Sequence, residues 1–149
     1  MLGPKSYLFA SAGAWFTGDA GQTWTKVVAD SFNAAYPGST VLAPDGTLYL
    51  TGTGAVYASH SNPLGSTFAA IANSPRASVI THDGVNLFAS NAWGSPQPNW
   101  SAPLANPSIW THMPSPAMSR GSNQLAYDSG HHIVYSANWG AGLWRLVTR

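Results

Sequence analysis

One phrase returns four times along this chain, an alternating apolar strand closed by small residues. It reads Tyr7-Leu8-Phe9-Ala10-Ser11, Leu48-Tyr49-Leu50-Thr51-Gly52, Asn86-Leu87-Phe88-Ala89-Ser90 and Ile133-Val134-Tyr135-Ser136-Ala137. Aligning Phe9, Leu50, Phe88 and Tyr135 gives steps of 41, 38 and 47 residues. Three of the phrases are preceded by another strand and a tight turn: Val41-Leu42-Ala43-Pro44-Asp45-Gly46, Val79-Ile80-Thr81-His82-Asp83-Gly84 and Leu125-Ala126-Tyr127-Asp128-Ser129-Gly130. Asp-Gly between alternating strands is a strong hairpin signal, because both residues tolerate the backbone of the turn. A chain repeating at this period is made of small antiparallel units that cannot bury their own apolar faces and must stack on one another.

A period of roughly 40–50 residues suits a four-stranded propeller blade. With blade strands lettered A (inner) to D (outer), residues 6–11, 14–17 and 23–28 supply B, C and D of a first blade. A complete blade runs from 39 to about 72 and another from 77 to about 113. The tail supplies A, B and C and ends at 143–147, which makes about fourteen strands, or three and a half blades. The expected fold is therefore all-β, a single half-propeller domain over residues 1–149. Known propellers close with about four to eight blades. An open arc leaves strand edges unpaired and aromatic blade faces bare. The expected partner is the chain itself, two copies closing one ring as a homodimer. The competing expectations are a piece of a longer protein and a compact four-bladed ring.

Residues 17–24 carry the most specific motif. Thr17-Gly18-Asp19-Ala20-Gly21-Gln22-Thr23-Trp24 follows the pattern Ser/Thr, any, Asp, any, Gly, any, Thr, aromatic. Asp19 can accept hydrogen bonds from nearby backbone N–H groups, and Gly21 can take a positive φ. On this motif and on the repeat spacing, the whole chain resembles the Asp-box (BNR-repeat) propellers, the superfamily of sialidase-like and xyloglucanase-like folds and several propeller lectins. The closing segment, residues 125–145, is similar to the final blade of bacterial members. The resemblance implies that 17–24 is the turn between the two outer strands of a blade and that Trp24 anchors the next strand between blades. Ser59 to Phe68 and Ser101 to Trp110 look like worn copies of the same turn. Trp15, Trp24, Trp110 and Trp144 are expected in blade-to-blade packing.

Composition narrows the function. The 149 residues fit one domain with a real core. Only 7% are charged, the formal charge is +1 from scattered residues, and no Glu occurs. Such a chain offers no electrostatic footprint for nucleic acid. No apolar run is long enough to span a bilayer. The absence of cysteine excludes disulfides and thiolate catalysis and leaves the compartment open. Lys5 followed by an apolar stretch has the look of a weak signal peptide, but Leu8-Phe9-Ala10-Ser11 recurs as Leu87-Phe88-Ala89-Ser90, which reads it as a strand.

The resemblance brings a glycosidase to mind, and the residues argue against one. Sialidases need an arginine triad, a Tyr with a partnering Glu, and an acid/base Asp; no Glu and no Arg-Ile-Pro signature is present. A pair of Asp could serve in principle, but Asp19, Asp45, Asp83 and Asp128 fall in turns, and only Asp30 has no structural task. No catalytic residue, metal ligand or cofactor is therefore assigned. His131-His132 are adjacent in an expected strand and would point to opposite faces, and His60, His82 and His112 stand apart. Binding has more support. The B-to-C connections of the last two blades read Asn91-Ala92-Trp93-Gly94 and Asn138-Trp139-Gly140. A Trp offers a flat platform for the C–H face of a sugar, and Asn offers a donor and an acceptor for hydroxyls. Asn91, Trp93, Asn138 and Trp139 are thus the candidate glycan contacts of a lectin-like module, against two other readings: Trp wedged between blades in a purely structural half-propeller, and a glycoside hydrolase-like propeller or a fragment of one.

Overall fold

The chain folds into four antiparallel sheets, seen in a computed structural model that describes residues 7–11, 13–27, 38–52, 54–60, 67–92, 99–114, 120–138 and 140–148. Sheet 1 holds β1 (Tyr7–Ser11), β2 (Gly13–Thr17) and β3 (Thr25–Lys26) in chain order. Sheet 2 holds β4 (Thr40–Leu42), β5 (Leu48–Thr51), β6 (Val56–Ser59) and β7 (Ala69–Ala70). Sheet 3 holds β8 (Val79–His82), β9 (Asn86–Ser90), β10 (Asn99–Pro103) and β11 (Thr111–Met113). Sheet 4 holds β12 (Ser122–Asp128), β13 (Ile133–Asn138) and β14 (Gly142–Val147). No helix occurs among the described residues. The fourteen strands and their grouping follow the expectation from the repeats, β1 included.

The first strands of sheets 2, 3 and 4 run side by side. β8 lies beside both β4 and β12. Between sheets 1 and 2, Ala14, Phe16 and Val27 meet Leu50, with Tyr57 and Phe68 packed against them. Between sheets 2 and 3, Tyr49 and Val56 meet Ile80, Leu87 and Ala89, with Trp110 packed against the group. Tyr49, Leu50 and Leu87 are wholly buried, and each such side chain contributes about 1.5–3 kcal/mol through the water it sheds. Alternation within a strand is what lets one sheet serve two seams: Tyr49 faces sheet 3 while Leu50 faces sheet 1.

That alternation corrects the alignment of the repeats. Leu50 points back toward sheet 1, whereas Phe88 lines the space on the other side, toward sheet 4. The two cannot be equivalent, since a slip of one residue turns a strand's whole apolar set over. Blade packing fixes the register here, and the shared phrase does not.

The turns are held by carboxylates. Asp45 Oδ1 accepts the Thr47 N–H at 2.9 Å, and Asp83 Oδ1 accepts those of Val85 and Asn86 at 2.9 and 2.7 Å. Asp128 Oδ1 accepts the Gly130 N–H at 2.9 Å. Gly46 and Gly84 take φ of 86° and 91° in the first two of these turns, a backbone that other residues adopt only under strain. The third turn is longer. His131 and His132, expected in a strand, lie in it, because β13 begins only at Ile133. Asp128 Oδ2 lies 2.7 Å from His131 Nδ1, and His132 Nδ1 is 3.1 Å from the Tyr127 hydroxyl.

Residues 17–24 form the turn from β2 to β3. Thr17 Oγ1 donates to Asp19 Oδ1 at 2.7 Å and accepts the Gly21 N–H at 3.0 Å. Thr23 donates twice to Asp19, from N to Oδ1 at 2.9 Å and from Oγ1 to Oδ2 at 2.6 Å. Gly21 takes φ 89°, as the motif requires. The Thr17 hydroxyl first, then the hydroxyl and the backbone N–H of Thr23, hold the Asp19 carboxyl well below the usual carboxylate range. Trp24 behaves otherwise than expected. Its Nε1 donates to Gly21 O at 3.1 Å and its ring is 44% exposed. Trp15 is likewise exposed, on the face of sheet 1 turned away from sheet 2. Neither has a further sheet to pack on among the described residues.

Candidate functional site

The starts of β4, β8 and β12 and the ends of β5 and β9 bring a set of hydroxyls to one end of the sheets. Thr51 Oγ1 accepts the Ser39 N–H at 2.9 Å and lies 3.1 Å from Ser78 O in the next sheet. Ser39 Oγ accepts the Ile80 N–H at 2.7 Å, again across sheets. Ser78 Oγ accepts the Ala92 N–H at 2.6 Å, and Ser90 Oγ accepts the Ser122 N–H at 3.3 Å. The Ser122 and Ser136 hydroxyls are 2.6 Å apart, and Ser136 Oγ donates to Asn138 Oδ1 at 2.5 Å. Small hydroxyls suit these positions because they satisfy edge N–H and C=O groups without spreading the sheets.

Beside this layer the inner strands line an open hollow of about 390 Å³, walled by residues 38–41, 79–81 and 123–125. Its size falls in the range of about 300–1,000 Å³ usual for small-molecule sites. None of the wall residues is ionisable. Thr40 and Gln124 are exposed and Asn123 is half-buried, Thr81 is buried, and Val41, Val79 and Leu125 add apolar residues to the wall. A carboxamide both donates and accepts, so this wall matches a ligand carrying neutral hydroxyls and C–H faces.

The ionisable groups sit elsewhere. Asp45, Asp83 and Asp128 cap the turns at the far end of β4, β8 and β12, and Asp19 is committed to its own turn. Asp30 lies outside the described residues. Four of the histidines have hydrogen-bond partners: His60 Nδ1 is 2.9 Å from Thr47 Oγ1, His82 Nε2 is 3.0 Å from Leu42 O across sheets, His131 meets Asp128, and His132 meets Tyr127. Among the described residues no three acidic or histidine side chains gather where they could hold a metal ion.

Of the contacts expected from sequence, Asn91 is half-buried just past β9, and Asn138 is buried at the end of β13 with its oxygen bonded to Ser136. Trp93 and Trp139 lie outside the described residues. The sequence reading passed over Thr40, Thr81, Asn123 and Gln124. Aligning the first strands of the sheets with one another, rather than the second strands, is the signal that finds them.

No protein-family model matches the chain, and no curated protein does. Two solved structures are similar in fold. A GH74 xyloglucanase from Xanthomonas campestris superposes with a TM-score of 0.56 at 20% identity, over 95% of this chain and 26% of that one. The extracellular domain of the putative one-component system BT4673 from B. thetaiotaomicron gives 0.54 at 15% identity, over 91% and 16%. The chain thus spans about a quarter of the first neighbour and about a sixth of the second. Likeness at such identity concerns the fold: four antiparallel sheets arranged as the blades of a propeller.

Proposed function

We propose that this chain is a non-catalytic recognition module of the Asp-box propeller type, and that its inner wall binds neutral carbohydrate. The uncharged set of Thr40, Asn123 and Gln124 around the hollow, with Thr81 buried in its wall, carries the reading. Sugars present hydroxyls that both donate and accept, and carboxamides and threonine hydroxyls answer both without the desolvation cost of a charge. The carboxylates support the non-catalytic side, since four of the five are engaged in turns. That one neighbour is a xyloglucanase agrees with a neutral glycan as ligand class.

The reading includes closure by a second copy. β14 is exposed along its whole length, and Leu143 and Val147, at 70% and 57% exposure, share the face of sheet 4 turned away from sheet 3. Trp15 is bare on the outer face of sheet 1. Sheet 4 of one copy stacked on sheet 1 of another would cover both.

A glycan array with neutral oligosaccharides tests the ligand, using wild type, Asn123→Ala, Gln124→Ala, Trp93→Ala and Trp139→Ala. Binding that weakens at least ~tenfold in the carboxamide variants, with unfolding unchanged, is expected. Failure of the folded wild type to bind any neutral glycan would discard the reading. Light scattering tests closure: a dimer is expected, and a stable monomer refutes it.

A further inference from the structure

No ladder joins β4 to β8, which belong to different sheets. Both nevertheless wall the hollow, through residues 38–41 and 79–81. Val41 and Ile80 share the apolar cluster between the two sheets, but apolar packing is non-directional and does not by itself fix one strand against another. Two polar side chains do, one from each sheet.

From sheet 2, Ser39 Oγ accepts the Ile80 N–H at 2.7 Å and offers its proton to Ile80 O at 3.4 Å. From sheet 3, His82 Nε2 lies 3.0 Å from Leu42 O. Nδ1 of the same ring accepts the Gly84 N–H at 3.0 Å, so Nε2 carries the proton and donates. Backbone alternation leaves Leu42 O free for this bond. The Thr51 N–H donates to Ser39 O and the Ala43 N–H to Thr47 O, so residues 39 and 43 turn their backbone groups to β5, and Leu42 turns its own away. The two straps are reciprocal and frame the same stretch of wall. Thr40 lies between Ser39 and Leu42, and Thr81 lies between Ile80 and His82. Thr51, by contrast, ties β5 rather than β4 to Ser78.

We propose that Ser39 and His82 are positioning residues for the ligand of the inner wall: they hold β4 and β8 at one spacing and so fix Thr40 relative to Thr81. The inference rests on the reading of that wall as a glycan site. A wall already in place when the sugar arrives spares the cost of ordering it on binding. His82 is not among the residues that wall the hollow, so it acts on the ligand through β4.

Calorimetric titration tests this with the neutral oligosaccharide that wild type binds most tightly on the array. His82→Leu, which removes a strap and no wall residue, should bind at least ~tenfold more weakly, and Ser39→Ala should do the same. His82→Gln can still donate to Leu42 O and should stay within ~threefold of wild type. Ser74→Ala serves as the comparison for stability, because Ser74 Oγ accepts the Val56 N–H at 2.9 Å away from the hollow. It should unfold more easily and bind as wild type does. A folded His82→Leu that binds as tightly as wild type overturns the inference; where that variant does not fold, Ser39→Ala decides by the same criterion. An equal loss in Ser74→Ala would make the effect one of general stability and also overturn it. A wild type that binds no neutral glycan is a separate failure, which discards the reading of the wall and the inference with it.

Discussion

Thr51 joins two sheets through one hydroxyl, and its replacement by valine measures what the joint is worth. The side chain is wholly buried. Its Oγ1 accepts the Ser39 N–H at 2.9 Å and offers its proton to Ser39 O at 3.2 Å or to Ser78 O at 3.1 Å. Valine keeps the β-branched shape and removes the hydroxyl. The Ser39 N–H then loses its partner, and orphaning such a donor costs about 1–3 kcal/mol. With a urea slope of about 2 kcal/mol/M, the unfolding midpoint should fall by roughly 0.5–1.5 M. Serine at the same place keeps the hydroxyl and gives up one methyl, for about 0.8 kcal/mol of lost burial. Equilibrium urea unfolding should therefore rank wild type above Thr51→Ser and Thr51→Ser above Thr51→Val. Valine at or above wild type, with serine lowest, would mean that apolar packing alone joins the sheets, and the account of the hydroxyl layer would be wrong.

Two further outcomes follow from the seams and the turn. Leu50→Ala, in the seam with Phe16, Tyr57 and Phe68, should cost about 2–5 kcal/mol. Phe88→Ala, although it removes more atoms, opens onto a space of about 140 Å³ toward sheet 4 and should cost less than Leu50→Ala; the reverse order in denaturant unfolding would refute the assignment of the two residues to different seams. The Asp19 carboxyl is held below the usual carboxylate range by the Thr17 and Thr23 hydroxyls. A depressed folded-state pKa gives stability that is full above the unfolded value of about 3.9 and is lost as pH falls toward the folded one. Urea midpoints of wild type and Asp19→Asn should thus differ at pH 6 and converge between about pH 4 and pH 2, and a constant gap down to pH 2 would contradict this.

The hairpins were legible because their chemistry is local. Asp45-Gly46 and Asp83-Gly84 specify a turn wherever they stand between alternating strands, and residues 17–24 state their own hydrogen bonds one by one. What sequence could not give is decided between sheets. Leu50 and Phe88 occupy similar phrases yet face opposite seams, because register answers to the neighbouring sheet. Ser39, Thr51, Ser78 and Ser90 carry no pattern in the chain, since a serine that bridges two sheets reads like any other serine. Asn123 and Gln124 join Thr40 and Thr81 only when β12 comes to lie beside β8 and β8 beside β4. The Trp expectation divided for the same reason: Trp110 has a seam to enter, and Trp15 and Trp24 have none among the described residues.

The inner wall is the claim on which the functional account stands, and amide chemical-shift mapping during titration with a neutral β-linked oligosaccharide tests it most directly. The account predicts saturable shifts confined to β4, β8 and β12, largest near Thr40, Thr81, Asn123 and Gln124. Shifts absent at millimolar sugar, or clustered instead at the far turns of Asp45, Asp83 and Asp128, would contradict it.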